Sequence, residues 1–579
     1  MRPSNFLSSQ ILEILISASL YHGFAAASPI SETCLGPRHG YKGGVASEAK
    51  ECSAIGRDLL ARGGNAIDAL VGTTFCVGVI GMYHSGIGGG GFMVVRDAEG
   101  EYEAIDFRES APAAAFQDMY QGNVNGSIYG GLAAGVPSEV KGLEYVHMKY
   151  GALPWKTVMQ GAVYIAREGF RVSDDLIRYV NSATKKGNNF LVEDPIWAEE
   201  FAPDGTLVKV GDIMKRERYA RTLERIADEG SSAFYTGPIA ESIINTIQAT
   251  NGTMTLEDLR DYEVISRPVI ATPYRGLKLH GIGSPAGGAV SLNILKIMEQ
   301  YDPAGWREDR GLTVHRFDEA MRFAYSARLN LGDPSFVDGV TEVEDSLVSE
   351  DKARSVRERI MDNQTMPVEA YDSEGIYASE SHGTSHIVSA DAAGMAASLT
   401  TTVNLLFGAQ IMDPLSGVII NNEMNDFSIP NTKNEFGFEP SEANFIRPKK
   451  RPLSSITPII ASRPSATGPD VLIAAVGTAG GSRIISSTAL VLWHAVEHNL
   501  TLTDALAQPR LHDQLMPNRT MLETSFEEDL KEALVSRGHE IDLKVNGFPS
   551  AVQGVWRYED GQFEAASEPR QQNSGGYTL

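Results

Sequence analysis

The spacing of apolar residues along the chain sets out a first group of elements. In residues 47–60, SEAKECSAIGRDLL, apolar positions recur at helical spacing behind a capping-type serine, and Gly63-Gly64 end the run. AIDALVGTTFCVGVI follows as a second, more buried helix. GFMVVRDAEGEYEAIDF changes period and reads as two strands around an AEG turn. Helical spacing returns at 155–168, 214–229, 255–262, 289–299, 315–328 and 483–498, and β-prone runs lie at 385–390, 395–405, 417–421 and 471–476. Helices come early and again late with hairpins between them, unlike the alternating order of a parallel sheet. The pattern predicts an α/β (α+β) protein with helices packed on mostly antiparallel sheets. Residues 432–452 are polar and Pro-rich and read as a long loop, with Lys449, Lys450 and Arg451 as a solvated basic patch.

One predicted hairpin carries candidate chemistry. SHIVSA and MAASLTTTVN flank DAAG, where Gly394 can supply positive φ. A turn on Ala392 and Ala393 sets Thr384 opposite Thr401 or Thr402, about 5 Å away, and the two-residue strand period puts Thr402 and Asn404 on one face. A threonine ladder would explain this much. A threonine also has chemistry that needs no histidine. If the Gly383–Thr384 bond were cut, Thr384 would carry an α-amine of pKa about 7.7–8.0, far more often neutral at pH 7 than a lysine. Such an amine can serve as general base to its own hydroxyl.

Composition narrows the class. The 579 residues, 42% hydrophobic and 21% charged, suit a large globular protein, and the net charge of −24 argues against nucleic acid or an acidic membrane as partner. Residues 1–27, with Arg2, an apolar stretch and Ala25-Ala26-Ala27, read as a secretory signal. Sequons at Asn125, Asn251, Asn363, Asn499 and Asn518 fit that route. Cys52 and Cys76 fall in the two early helices, where a bridge and two buried thiols both fit; Cys34 has no evident partner. Gly86, Gly88 and Gly91 match a dinucleotide fingerprint, but here a helix precedes and a strand follows, so a tight turn is the better reading. No paired His or Cys spacing suggests zinc, and neither a metal nor a cofactor is expected.

The hairpin and the ordered motifs IDFRESAP, GIGGGGF, GVPSEVKGLE, EAMRFAYSARLNLGDPSF, GVIINNEMNDFS, RPLSSITPII and GTAGGSRI resemble the γ-glutamyltranspeptidase family from about residue 44 to the terminal GGYTL. The resemblance implies a four-layer αββα N-terminal nucleophile hydrolase sandwich. It implies a precursor cut between Gly383 and Thr384 into a large subunit, 28–383, and a small one, 384–579, that associate as a heterodimer. Thr384 would then form a γ-glutamyl ester from glutathione or another γ-glutamyl donor and pass it to water, amino acids or dipeptides. By position, Thr402 orients the nucleophile, and Gly480 and Gly481 form the oxyanion hole. Arg108, Ser454 and Ser455 receive the donor carboxylate, and Asn404, Glu423 and Asp426 its ammonium. Asn425, where many relatives carry an acid, and Leu406, where vertebrate relatives often carry Tyr, depart from the pattern and bear on ammonium recognition and acceptor choice. An acylase of the same fold acting on glutaryl amides, and a non-catalytic binding protein, are the competing readings. A secreted, cell-surface or vacuolar location follows from the leader.

Overall fold

The computed structural model describes residues 39–371, 376–377, 383–432, 439–544 and 549–579; the expected leader, Cys34 and His382 lie outside them. Numbering only the elements that form the sandwich, the chain runs β1 (His39–Gly40), β2 (Gly43–Ser47), α1 (Lys50–Ala61), α2 (Ala66–Ile80), β3 (Gly90–Arg96), β4 (Tyr102–Phe107), β5 (Ile265–Arg267), β6 (Val269–Tyr274), β7 (Leu277–Ile282), α3 (Gly288–Glu299) and α4 (Arg310–Arg328). It continues with β8 (Ser385–Asp391), β9 (Ala396–Thr402), β10 (Ile459–Arg463), β11 (Val471–Ala479), α5 (Arg483–Glu497), β12 (Ala551–Arg557), β13 (Phe563–Ala566) and β14 (Gly575–Thr578).

Two seven-stranded sheets result, in the orders β14-β2-β8-β9-β3-β4-β5 and β1-β13-β12-β11-β10-β7-β6. Every ladder in them is antiparallel. The sheets face each other through β8 and β11, with α2 outside the first and α3 and α5 outside the second, giving four αββα layers. Phe92, Val94, Val388, Ile460, Leu472 and Val555 fill the gap between the sheets. Strands covered on both faces lose the in-out alternation, which is why β8 and β9 are buried at every position.

Local chemistry sets the early helices. The Asn65 side chain accepts from the N–H groups of Ile67 and Asp68, and Asp68 returns a bond to the Asn65 N–H, closing a capping box for α2. Cys52 in α1 and Cys76 in α2 are joined as a disulfide. Helices Trp155–Glu168 and Arg483–Glu497 fall where their periodicity put them.

Several expectations change. Ser47 ends β2 and caps nothing; its hydroxyl donates to the Ala49 carbonyl. The strand expected over 395–405 stops at Thr402, because Asn404 takes φ 69°. Residues 417–421 form no ladder strand. Their neighbours Phe407, Gly408 and Gln410 all have positive φ, so the facing chain cannot stay extended, and only a single bridge between Met412 and Ile419 survives. The solvated basic patch holds at Lys449, which is exposed, and is overturned at the next two residues. Lys450 and Arg451 are buried: Lys450 donates to the carbonyls of Ala443 and Phe445, and Arg451 pairs with Asp106. Two of the fingerprint glycines bring backbones together, since a Cβ on Gly88 would stand 2.0 Å from the Ile419 carbonyl oxygen and one on Gly91 2.1 Å from that of Thr400.

The Cys52–Cys76 bridge spans a sequence separation of 24, so the double variant Cys52→Ala/Cys76→Ala should lose about 3–4 kcal/mol. A lowered denaturation midpoint, with the slope no smaller than that of the bridged protein, checks this.

Candidate active site

Sheet register assembles one end of the first sheet. Ser385 pairs with Thr401, so Thr384 enters opposite Thr402; Thr402 pairs with Gly90, and Gly91 with Phe107. Arg108 follows directly, three strands over from Thr384, roughly 14 Å at ordinary strand spacing. From the second sheet, β11 ends at Ala479 and the turn after it brings Gly480 to the same place.

In the continuous chain the Thr384 hydroxyl accepts from the Gly480 N–H at 2.8 Å. The Thr402 hydroxyl donates to the Gly383 carbonyl at 2.5 Å and accepts from the Asn404 N–H at 2.7 Å. The Thr384 hydroxyl and the neighbouring carbonyl are thus each held by a hydrogen bond, and both residues are buried. Glycine is required at 383, where a Cβ would lie 2.2 Å from the Asn404 carbonyl oxygen. Gly480 and Gly481 take φ 135° and 63°, a turn that side chains disfavour.

Beside this pair lies a charged cradle. Arg108, only 1% exposed, meets Glu423 and Asp426 at 2.6 Å each. The surface pairing with Asp106 or Glu109 that would be its ordinary explanation does not occur: the Asp106 carboxylate accepts from the Arg108 backbone N–H and pairs with Arg451 and Arg267. The Asn404 amide donates to the Asn422 carbonyl at 3.0 Å, while its Oδ1 and both Glu423 oxygens lack an aligned donor. Ser454 and Ser455 are buried in the segment that begins at Pro452, whose carbonyl accepts from Arg108 Nε at 3.4 Å; neither serine touches the guanidinium. Asn444 reaches across from the loop and donates to the Asp426 carbonyl at 2.7 Å.

Burial raises the acids here. Desolvation lifts Glu423 well above the ordinary carboxylate range although Arg108 opposes it, and lifts Glu109 to about 7. Glu139 is lifted to about 8, again by desolvation, against the bond it accepts from Thr401. His386 sits behind the hairpin on Thr400, pushed down to about 3 by burial and so neutral. The Asn425 amide is held by Ser127 at 2.8 Å, and Leu406 packs on the core below the first sheet.

Sequence reasoning passed over several neighbours. Glu48 accepts from Ser385, and the His84 ring edge lies 3.5 Å from where a Gly383 Cβ would be. Tyr325 and Arg328, inside a quoted motif, border the site, and Glu109 adjoins Arg108. A remote buried cluster, His315, Glu319 and His539 with Asp318 and Asp513, shows no spacing signature in the sequence because the fold gathers it from distant segments. Arg322 pairs with Asp513 at 2.8 Å, and His539 Nδ1 lies 2.8 Å from Asp318; burial pushes the His539 ring down to about 4 and the Asp318 carboxyl up to about 7. All five sequon asparagines are exposed, and Asn518 also accepts from Arg322.

Stacked antiparallel sheets between helical layers, with a threonine at the start of a central strand, define an N-terminal nucleophile hydrolase fold. The cephalosporin acylase from Bacillus halodurans shares that fold at TM-score 0.81 and 24% identity, over 96% of this chain and 99% of that one. The model of the family described as Gamma-glutamyltranspeptidase matches residues 52–577, and the chain belongs to that family. It is 48% identical over 557 residues to the Glutathione hydrolase proenzyme of Arthroderma benhamiae, covering 93% of each chain. It is also similar to the gamma-glutamyltranspeptidase of Helicobacter pylori, 33% identical at TM-score 0.52, over 55% of this chain and 92% of that one.

Glu139 provides a pH test. Its carboxyl ionises near 4.5 in a free chain and near 8 when folded, so the folded state holds the proton more tightly. The stability this confers is full below about pH 4.5 and is lost as pH rises through about 8. Between about pH 5 and pH 9 the wild type should therefore lose about 2–4 kcal/mol relative to Glu139→Gln, read from paired denaturation curves.

Proposed function

We propose that this protein is a γ-glutamyl-transferring glutathione hydrolase that matures by cutting its own Gly383–Thr384 bond. The observation that carries the reading is one chain of contacts. It joins the Gly383 carbonyl through Thr402 and Asn404 to the Asn422 carbonyl, and the next residue, Glu423, pairs with Arg108. A nucleophile-bearing strand end thereby adjoins a cradle with a guanidinium for a carboxylate and, in Asn404 Oδ1 and the Glu423 and Asp426 carboxylates, acceptors for an ammonium, the two charges of a γ-glutamyl group.

In maturation the Thr384 hydroxyl attacks the Gly383 carbonyl, and Thr402 steadies the developing oxyanion. The acyl group moves from nitrogen to oxygen, and water cleaves the ester, leaving a Gly383 carboxylate and a free Thr384 amine. In turnover that amine takes the hydroxyl proton as the oxygen attacks the donor's γ-carbonyl, then gives it to the departing amine of cysteinylglycine. The N–H groups of Gly480 and Gly481 receive the oxyanion, an effect worth about 3 kcal/mol per donor. Water, an amino acid or a dipeptide then takes the γ-glutamyl group. Passage through the secretory pathway is part of the same proposal, favoured by the leader, the Cys52–Cys76 bridge and the exposed sequons.

Thr384→Ala should yield one uncut chain without activity, and Gly383→Ala should slow cutting severely because of the Asn404 clash; gel analysis of fresh protein reads both. Arg108→Ala should raise KM for the donor about 10–100-fold with a smaller change in kcat. Comparing γ-glutamyl and glutaryl anilides tests the ammonium half of the cradle. Equal turnover of the two would favour the acylase reading instead.

A further inference from the structure

Arg328, the last residue of α4, is 7% exposed. Among the described residues its guanidinium forms no ion pair and no hydrogen bond, and its Nε is wholly buried without an acceptor. An unpaired cation so deeply buried costs several kcal/mol, which an anionic ligand would offset.

The surroundings say which anion. Tyr325, on the same face of α4, donates to the Ser482 carbonyl at 2.5 Å, next to Gly480 and Gly481. On the other side, the Leu329 carbonyl accepts from Ser441 at 2.7 Å, and Asn444 in the following turn holds the Asp426 carbonyl. Arg328 therefore lies between the oxyanion turn and the Asp426 end of the cradle. Asp426 and Arg108 are among the charges that act on it, and desolvation outweighs the support it draws from Tyr325 and Asp426. Arg108 is already shared between two carboxylates, so it can offer a donor carboxylate only part of its charge. Arg328 supplies a second cation.

We propose that Arg328 is a second receptor for the α-carboxylate of the γ-glutamyl donor, closing on it from the side opposite Arg108. The inference rests on the γ-glutamyl reading above. An arginine here suits a planar carboxylate because two of its N–H groups can bind both oxygens.

The test uses the full-length, self-cleaved protein with Arg328→Gln and Arg328→Lys. Arg328→Gln should lower kcat/KM for a γ-glutamyl anilide about 10–100-fold, chiefly through KM, with Arg328→Lys between it and wild type. It should leave the slow turnover of a 4-aminobutanoyl anilide, which lacks the α-carboxylate, unchanged. A loss seen only with glutathione and not with the anilide would assign Arg328 to the glycine carboxylate and overturn the proposal, as would equal losses for both anilides. A binding measurement needs no turnover: L-glutamate should raise the unfolding midpoint of wild type and not of Arg328→Gln. Without ligand the variant should be at least as heat-stable as wild type, whereas a merely structural arginine would leave it less stable. If wild type fails to turn over γ-glutamyl donors yet keeps the glutamate effect, the functional reading fails and the Arg328 assignment stands.

Discussion

The hydrogen bond from the Thr402 hydroxyl to the Gly383 carbonyl is the contact on which the rest of the site depends. It exists because β8 and β9 pair in one register, and a slip of one residue would turn Thr402 to the other face. The same register puts Gly90 beside Thr402 and carries the chain on to Arg108. Four layers of structure hold it, since both strands are covered by the facing sheet and by α2. A hairpin with one wet face could shift; this one cannot without exposing its core.

The cradle beside the hairpin is built from charges that burial makes costly. Glu109, Glu139 and Glu423 all hold their protons more tightly than an exposed carboxyl would, and Arg108 offsets only part of that cost at Glu109 and Glu423. A ligand that brings its own ammonium and carboxylate can satisfy groups the protein leaves unpaired, namely Asn404 Oδ1 and the Arg328 guanidinium.

Much of this was legible in the sequence, and the reasons differ by element. The 155–168 helix carries a clean amphipathic repeat, and the DAAG turn announces its own hairpin, so both emerged from period and turn chemistry. Residues 417–421 did not, because a β-branched run looks the same whether its partner is extended or, as with Phe407 and Gln410, folded back at positive φ. Lys450 and Arg451 misled because a charge run is usually solvated, and only the fold reveals that Asp106 lies underneath. Glu423 and Asp426 had no local signature; their pairing with Arg108 spans more than three hundred positions. Arg328 escaped notice for the opposite reason: what marks it is a missing partner, which no sequence displays.

The proposed chemistry requires Thr384 to act as a self-generated amino-terminal nucleophile. Mass analysis of protein quenched during turnover of a γ-glutamyl donor tests this directly. Two polypeptides divided between Gly383 and Thr384 are expected, with the γ-glutamyl group esterified to the Thr384 hydroxyl at the start of the smaller one. An active enzyme found with that peptide bond intact, or with the acyl group on another side chain, would contradict it.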